Sequence, residues 1–578
     1  MSNNMSITGY PSIDRPWLKY YSDEAKGVSL PKDTINGYLR ERNKNRLDDV
    51  AINYFDKLIK YRELFVKIES TTKAFSAMGI TRGDIVVLAT VTTPETIYAF
   101  YALNRLGAIS FMLDPRTSTE GIKSCLVETS AKIVLTVDIA WPKIYEATKS
   151  TSVKKVVVIS PSESLPFIKK QAYKITNHGV GVHNITQKSD GLCIAWKEFL
   201  ASGTNSTFVE CPYKEDSCCV MIRTGGTTGT PKSVMLSNDN LNTMVMQYSL
   251  LGVTYNRKQK FLDIMPAFCS YGIVLGIHMP LCLGLVDVII PQLDPNKFTD
   301  LIIKYAPAHL AGVPMHYDQL RLSKKSKKLD LSFFQMTGCG GDSMTEGFEK
   351  KINRFLHDHH CAYPITKGYG MTEISSAATT NKGTLNKLGS VGIPHLKTVV
   401  SVFDKDSCTE LQYGQEGEIC MCAPTIMLGY YKNETETNGV LRIHKDGKVW
   451  LHSGDIGHMD EEGFVYVHGR LKRVIIRSDG HKVWPQQIEN TLFNYGGVKD
   501  CAVVGRPNPD NKVGKMPIAF TVWDAKATET QKSFANIDAF LKKYLTERDC
   551  PLDCISIDEI PRTPIGKVDY RALEQMTE

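Results

Sequence analysis

This 578-residue chain has no long uninterrupted apolar run. The nearest approach, residues 271–290, matches the roughly 20 residues a bilayer span requires. It carries His278, Pro280, Gly284 and Asp287, so a buried helix, a turn and a strand are expected, and no transmembrane span. The opening segment, MSNNMSITGYPSIDRPW, lacks the apolar core of a secretory leader, and a cytoplasmic protein is expected. Zinc-ribbon spacing is lacking too. Cys420-Met-Cys422 and the Cys550 and Cys554 pair do not supply it, and His357-Asp-His-His-Cys361 has no second cluster to complete a site. The 15 cysteines are odd in number and scattered, which points to buried reduced thiols. Charge of one sign is scarce: 69 Lys and Arg against 62 Asp and Glu leave +7. Over this length that excess does not demand nucleic acid as a partner, although it suits anionic ligands. Lys324-Lys-Ser-Lys-Lys328 is then a solvated loop. Repeats and low-complexity tracts are absent.

What is present is a globular composition, 42% hydrophobic and 23% charged, which excludes a disordered chain and a collagen-like fibre. The length predicts more than one domain. Residues 84–90, 108–113, 133–137 and 156–159 read as buried strands, and helices are expected from Pro94 to Gly107 and over 117–129. That rhythm implies an α/β fold of mostly parallel sheet with helices on both faces. From about residue 389 to 469, short alternating segments (399–403, 417–421, 464–467) predict a smaller antiparallel, barrel-like subdomain. Beyond Arg473, strands at 474–477 and 501–505 and helices at 485–495 and 534–546 predict a compact α+β unit of normal domain size.

The most informative segment is RTGGTTGTPKSV, residues 223–234, between a strand expected at 218–222 and a helix with Leu241, Met244, Val245 and Tyr248 on one face. Gly225, Gly226 and Gly229 leave backbone N–H groups open to an anion. Thr224, Thr227, Thr228 and Thr230 add hydroxyls, and Lys232 adds a mobile positive charge. A Walker loop is excluded, because Pro231 stands where that motif needs glycine and an N–H aimed at phosphate.

This segment resembles the phosphate loop of the adenylate-forming superfamily, the acyl- and aryl-CoA synthetases and their relatives. Further motifs follow in family order. Gly368-Tyr-Gly-Met-Thr-Glu373 reads GxGxxE, which does not support a dinucleotide fingerprint. The resemblance implies that Tyr369 stacks on adenine, Thr372 contacts the α-phosphate and Glu373 holds Mg²⁺, a hard cation that calls for oxygen ligands. Gly370 and Met371 complete this nucleotide segment. Asp455, in Ser453-Gly454-Asp455, would accept hydrogen bonds from both ribose hydroxyls. Arg470 would contact ribose and phosphate, and Lys472 would be the hinge. Residues 475–489 resemble the segment lining the pantetheine tunnel, with Gly480 beside the passing arm; His481 is assigned no chemistry. Lys567, in Pro561-Arg-Thr-Pro-Ile-Gly-Lys567, would neutralise charge on the transferring phosphoryl group.

The acyl end is implied at Pro266-Ala-Phe-Cys-Ser-Tyr-Gly272. There Phe268, Cys269 and Gly272 would meet the substrate, and Cys269 replaces the histidine the family often has. Absence of an acidic residue between Pro266 and Gly272 argues against an amino-acid substrate. Gly338, Gly340, Gly341 and Asp342 match the segment between acyl pocket and adenine, where small residues leave room for a slim group. Two further departures, Gly225 and Ser233, fall in the phosphate loop. The resemblance runs from Tyr61-Arg-Glu-Leu64 to Lys567 and implies an adenylating domain over 1–471 and a mobile domain over 472–578. The implied enzyme uses ATP, Mg²⁺ and coenzyme A to convert a carboxylic acid, fatty or otherwise hydrophobic, to its acyl-CoA through acyl-AMP. A ligase loading a carrier protein's phosphopantetheine, a binding homologue without turnover and an ADP-forming ATPase or kinase remain open as alternatives.

Overall fold

The structure, a computed structural model, describes residues 7–176, 182–187, 191–224, 231–479, 481–507, 514–563 and 567–577. Two large sheets form the body. Among the described residues, one has eight strands in the order Gly429–Tyr430, Ser233–Ser237, Cys218–Arg223, Ile109–Leu113, Ile85–Ala89, Ile133–Val137, Lys155–Ile159 and Cys193–Ala195. From Cys218–Arg223 onward its neighbours pair in parallel. The central strands Ile85–Ala89, Ile133–Val137 and Lys155–Ile159 are rich in Val and Ile and almost wholly buried, as strands covered on both faces are. The second large sheet has Met336–Cys339 and Thr366–Tyr369 side by side near one edge, with Gly338 opposite Thr366 and Cys339 opposite Lys367, so the segments after both strands leave the sheet close together. A shared core, including Phe100, Tyr101, Phe111, Ile222, Met244 and Phe261, packs between them.

The residues that carry the chemistry lie where strands end. The helix Pro94–Arg105 begins with proline in its first turn and Thr93 accepting from the Thr96 N–H, so its start falls where the sequence predicts. The expected helix, turn and strand over 271–290 are a π-helical turn Tyr271–His278, a helix Met279–Leu283 closed by Gly284, and a strand Val286–Ile289. No helix among the described residues is long and apolar enough to cross a membrane.

One local expectation is corrected. The glycine-rich segment does not run directly into a helix: Ser233–Ser237 turns back as a strand antiparallel to Cys218–Arg223. Its Val234 and Leu236 are buried, and the helix Asn238–Ser249 starts only at Ser237, whose hydroxyl accepts from the Asn240 N–H. The expected helix with Leu241, Met244, Val245 and Tyr248 is present, and the strand before it is the addition.

The antiparallel subdomain is a five-stranded sheet of Val399–Phe403, Gly417–Cys422, Val449–Met459, Leu441–Ile443 and Val465–Arg470. Beyond it, Val498–Pro507, Lys515–Trp523 and Asp553–Ser556 form a sheet against the helices Pro485–Leu492 and Phe534–Leu541. Ile488, Leu492, Val503, Ile537 and Leu541 make its separate core. The helix expected over 534–546 is regular only over Phe534–Leu541, with Leu545 still packed against the same core beyond its end. The strand expected over 474–477 shortens to Ile475–Ile476, which pairs with Lys482–Val483.

Candidate active site

Asp455 is buried in the strand Val449–Met459 and faces two partners. Its Oδ2 accepts from the Tyr369 hydroxyl at 2.7 Å, and its Oδ1 pairs with Arg470 Nε at 3.0 Å. Burial pushes the Asp455 carboxyl up, while Arg470, Tyr369 and Lys567 oppose that shift. Tyr369 ends the strand Thr366–Tyr369. The chain then passes through Gly370, where a Cβ would stand 2.0 Å from the Ser376 carbonyl oxygen, so no side chain is tolerated in this crossing. Met371 precedes a tight turn, Thr372–Ile374, that presents Thr372 and Glu373 together. Ser270 Oγ lies 3.5 Å from the Thr372 hydroxyl and links this turn to the expected acyl loop.

Glu373 is half-buried and uses one oxygen, accepting from the Tyr430 hydroxyl at 2.8 Å. A carboxylate fixed through one oxygen, with no hydrogen bond to the other among the described residues and hydroxyls beside it, is an all-oxygen donor set that fits Mg²⁺. Lys232 stands on the other side of Tyr430, its ammonium 4.7 Å from the ring centroid and paired with Glu436. The stem of the phosphate loop is closed by Thr224, whose N–H donates to the Lys232 carbonyl at 2.8 Å. Gly225, Gly226, Thr227, Thr228 and Gly229, and also Gly480, lie outside the described residues.

Lys567 is exposed, and its turn is closed by the Thr563 N–H donating to the Lys567 carbonyl at 2.7 Å. Its charge is nonetheless felt in the large domain. Burial pushes up the Asp342 carboxyl and lifts the Cys269 thiol to about 11, and Lys567 opposes both shifts. The terminal segment is tied down by Arg562, which reaches Asp342 at 3.4 Å and Asp500 at 2.7 Å. Lys472 is exposed in the turn Leu471–Arg473. His481 pairs with Asp549 at 2.8 Å, a packed histidine as its lack of an assigned role anticipates.

At the acyl end Phe268 is buried under the Arg116 guanidinium, 5.5 Å from its ring centroid. Cys269 donates its thiol to the Pro266 carbonyl at 3.1 Å. Tyr271 donates to the Gly312 carbonyl at 3.1 Å, and the Gly340 N–H donates to the same oxygen at 3.1 Å, which brings Gly272, Gly338, Gly340 and Gly341 into one neighbourhood. Behind this loop are Asp263 and Asp287, both buried on adjoining strands. Asp287 registers with Phe261, two residues before Asp263, so both acids occupy the same face of the sheet. Asp263 Oδ2 and both Asp287 oxygens have no protein partner among the described residues, and burial pushes both carboxyls up.

The sequence reading missed Tyr430, Glu436, Ser270 and Arg562. Gly429-Tyr-Tyr431 offers little signal by itself, and Arg562 was visible only as a neighbour within the Lys567 motif.

The donor set of Asp455, Arg470, Glu373 and Lys232 suits a phosphate-bearing nucleotide accompanied by a hard cation. Comparison with known proteins gives the same class. A family model described as AMP-binding enzyme matches residues 39–431, and one described as AMP-binding enzyme C-terminal domain matches residues 487–567. The chain belongs to the AMP-binding enzyme family, the adenylate-forming superfamily, and is an AMP-forming acid–CoA ligase by class. It is similar to a long-chain-fatty-acid–CoA ligase of Bacillus subtilis, 27% identical over 98% of both chains. It is also similar to a probable 4-coumarate–CoA ligase of Dictyostelium discoideum, 26% identical over 95% of this chain and 96% of the other. In fold it resembles ATP-bound MatB from Rhodopseudomonas palustris, with a TM-score of 0.78 at 22% identity, covering 94% of this chain and 99% of that one. The anthranilate CoA ligase AuaEII with anthranoyl-AMP gives 0.77 at 18% identity, covering 96% and 99%.

Proposed function

We propose that this enzyme activates a hydrophobic carboxylic acid, fatty or aryl, with ATP and passes the acyl group to the thiol of coenzyme A. The observation that carries the reading is the joining of buried Asp455 to Tyr369 at 2.7 Å and to Arg470 at 3.0 Å, which unites residues of three separate motifs around one carboxylate. In the first half-reaction a substrate carboxylate oxygen attacks the α-phosphorus of ATP, the bond to the bridging oxygen breaks, and pyrophosphate leaves. No covalent enzyme group is needed, so the protein's contribution is placement and charge. Asp455 and Arg470 hold the ribose, Thr372 and Lys567 face the transferring phosphoryl group, and Lys232 with the threonine-rich segment takes the departing phosphates. Mg²⁺ at Glu373 would supply a positive charge shared among phosphate oxygens.

In the second half-reaction the CoA sulfur attacks the acyl carbonyl and AMP leaves. The domains, 1–471 and 472–578, exchange faces about Lys472, so that Lys567 withdraws and the segment around Gly480 takes its place. The apolar stretch Tyr271–His278, which directly follows Phe268 and Cys269, supports an apolar acid. A panel of fatty and aryl acids monitored by pyrophosphate release, followed by CoA-dependent thioester formation, tests this. Pyrophosphate release with no acid of the panel would exclude the reading, and transfer to a carrier-protein arm but not to CoA would replace the acceptor.

A further inference from the structure

Behind the Asp455 turn lies a buried polar chain that none of the expected motifs includes. Glu418, in the strand Gly417–Cys422, is buried and engages the turn directly. Its Oε1 accepts from the Gly454 N–H at 2.9 Å, and its Oε2 pairs with His452 Nδ1 at 2.9 Å. His452 Nε2 in turn faces His444 Nε2 at 2.9 Å, and the His444 ring stacks on Trp450 with 16° between planes.

The backbone explains why such support is needed. Register between the strands Gly417–Cys422 and Val449–Met459 runs Glu418 to Ile456 and then Cys420 to His452, so the ladder is irregular at Ser453, Gly454 and Asp455. Backbone groups there lose their usual cross-strand partners. Gly454 takes φ +70°, a left-handed conformation suited to glycine, and its N–H is met by the Glu418 carboxylate instead of a carbonyl. Ser453 Oγ closes the other side, donating to the Ile419 carbonyl at 2.6 Å and accepting from the Asp455 N–H at 3.0 Å.

Proton placement follows from the partners. Glu418 is surrounded by donors, which outweigh the upward push of its burial and hold its pKa below the ordinary value. His452 therefore donates from Nδ1 and, when neutral, accepts at Nε2 from His444 Nε2–H. His444 Nδ1 is then a bare acceptor, and that atom has no partner among the described residues. Cys420 Sγ, 3.5 Å from His452 Nδ1, completes a group of ligand-type atoms. The carboxylate and the ring already satisfy one another, so the group needs no metal to account for it.

We infer that Glu418 and His452 are positioning residues, which set the orientation of Asp455 towards the ribose through the Gly454 N–H and the strand between them. The inference rests on the reading of Asp455 as the ribose ligand. Truncating either residue leaves a buried charge or donor unpaired and releases the turn, and Asp455 then meets the nucleotide hydroxyls in poor geometry.

The experiment compares kcat/KM for pyrophosphate release with ATP and with 2′,3′-dideoxy-ATP, which lacks the hydroxyls Asp455 would hold. Asp455→Ala is the control and should bring the ATP preference close to one. Glu418→Gln keeps an acceptor for Gly454 but loses the carboxylate for His452, and Glu418→Ala removes both. The expected result is an ATP preference reduced roughly tenfold in Glu418→Ala, less in Glu418→Gln and His452→Asn, with the loss expressed in KM for ATP and the dideoxy rate little changed. Equal losses with both nucleotides, with the control still narrowing the preference, would overturn the inference and leave the ribose reading intact. A control that keeps its full ATP preference would overturn both. Glu418→Gln, the most conservative change, provides the measurement if Glu418→Ala does not fold.

Discussion

Arg470 and Arg473 are three residues apart and anchored to opposite domains. Arg470 pairs with Asp455 in the body at 3.0 Å, whereas Arg473 pairs with Glu489 of the small domain at 2.9 Å and lies over the Tyr570 ring, 3.5 Å from its centroid. Lys472 stands exposed between them without a side-chain role in packing. On the proposed reading, the turn between the two domains falls on this one short stretch. Proline at this position fixes φ near −65° and removes an N–H. Lys472→Pro should therefore change adenylate formation and thioester formation unequally, with the ratio of the two single-turnover rates moving about tenfold or more. Unchanged rates in both would place the pivot elsewhere.

Lys567 offers a sharper separation of the two steps. Lys567→Ala should lower acyl-AMP formation about 100-fold or more, as expected for loss of a charge aimed at a developing oxyanion. Thioester formation from supplied acyl-AMP should stay within a few-fold of the unsubstituted enzyme. Pyrophosphate release and thioester formation measured separately decide it; equal losses in both would refute the assignment.

The Arg562 bridge between Asp342 and Asp500 holds the terminal segment against the body in the arrangement seen here. Partly exposed ion pairs contribute little, so Arg562→Ala should slow adenylate formation only about threefold to tenfold. Thioester formation should be unchanged or faster, because leaving this arrangement becomes easier. A slower thioester step would mean that the bridge serves something other than domain closure.

Asp263 and Asp287 make a stability prediction with a definite sign. Burial raises Asp263 from 3.8 to about 8, and Asp287 is raised as well. The folded protein then holds protons that the unfolded chain has released. Stability is greatest below the ordinary carboxylate range and falls as pH rises from about 4 towards 8, by no more than about 1.4 kcal/mol per pH unit for each acid. Asp263→Asn should flatten that decline. Thermal unfolding between pH 5 and pH 8 measures it, and an equally steep decline in the variant would show that other groups set the slope.

The order of the motifs made the fold and much of the site legible. Strand 133–137 and strand 399–403 fall where alternation and β-branching put them, because local pattern decides such buried strands. Tyr369, Asp455 and Arg470 do come together, although they are spread over about a hundred residues. What could not be seen was the support. Tyr430 reaches Glu373 from the strand that pairs with Ser233–Ser237, and Glu418 meets Gly454 at a register irregularity; both depend on tertiary alignment, which leaves no spacing signature. The strand Ser233–Ser237 was hidden for the same reason, since it exists by pairing and not by propensity.

The Lys232 ammonium already has an anionic companion in Glu436, with the Tyr430 ring beside it. On the proposed reading an arriving triphosphate competes with a resident carboxylate and does not meet a bare cation. Binding is then an exchange of counter-ions, in which part of the new attraction is offset by the old one given up. The same exchange favours turnover, because departing pyrophosphate leaves behind a lysine with a ready alternative, and the strongest electrostatic hold in the phosphate region need not become a trap.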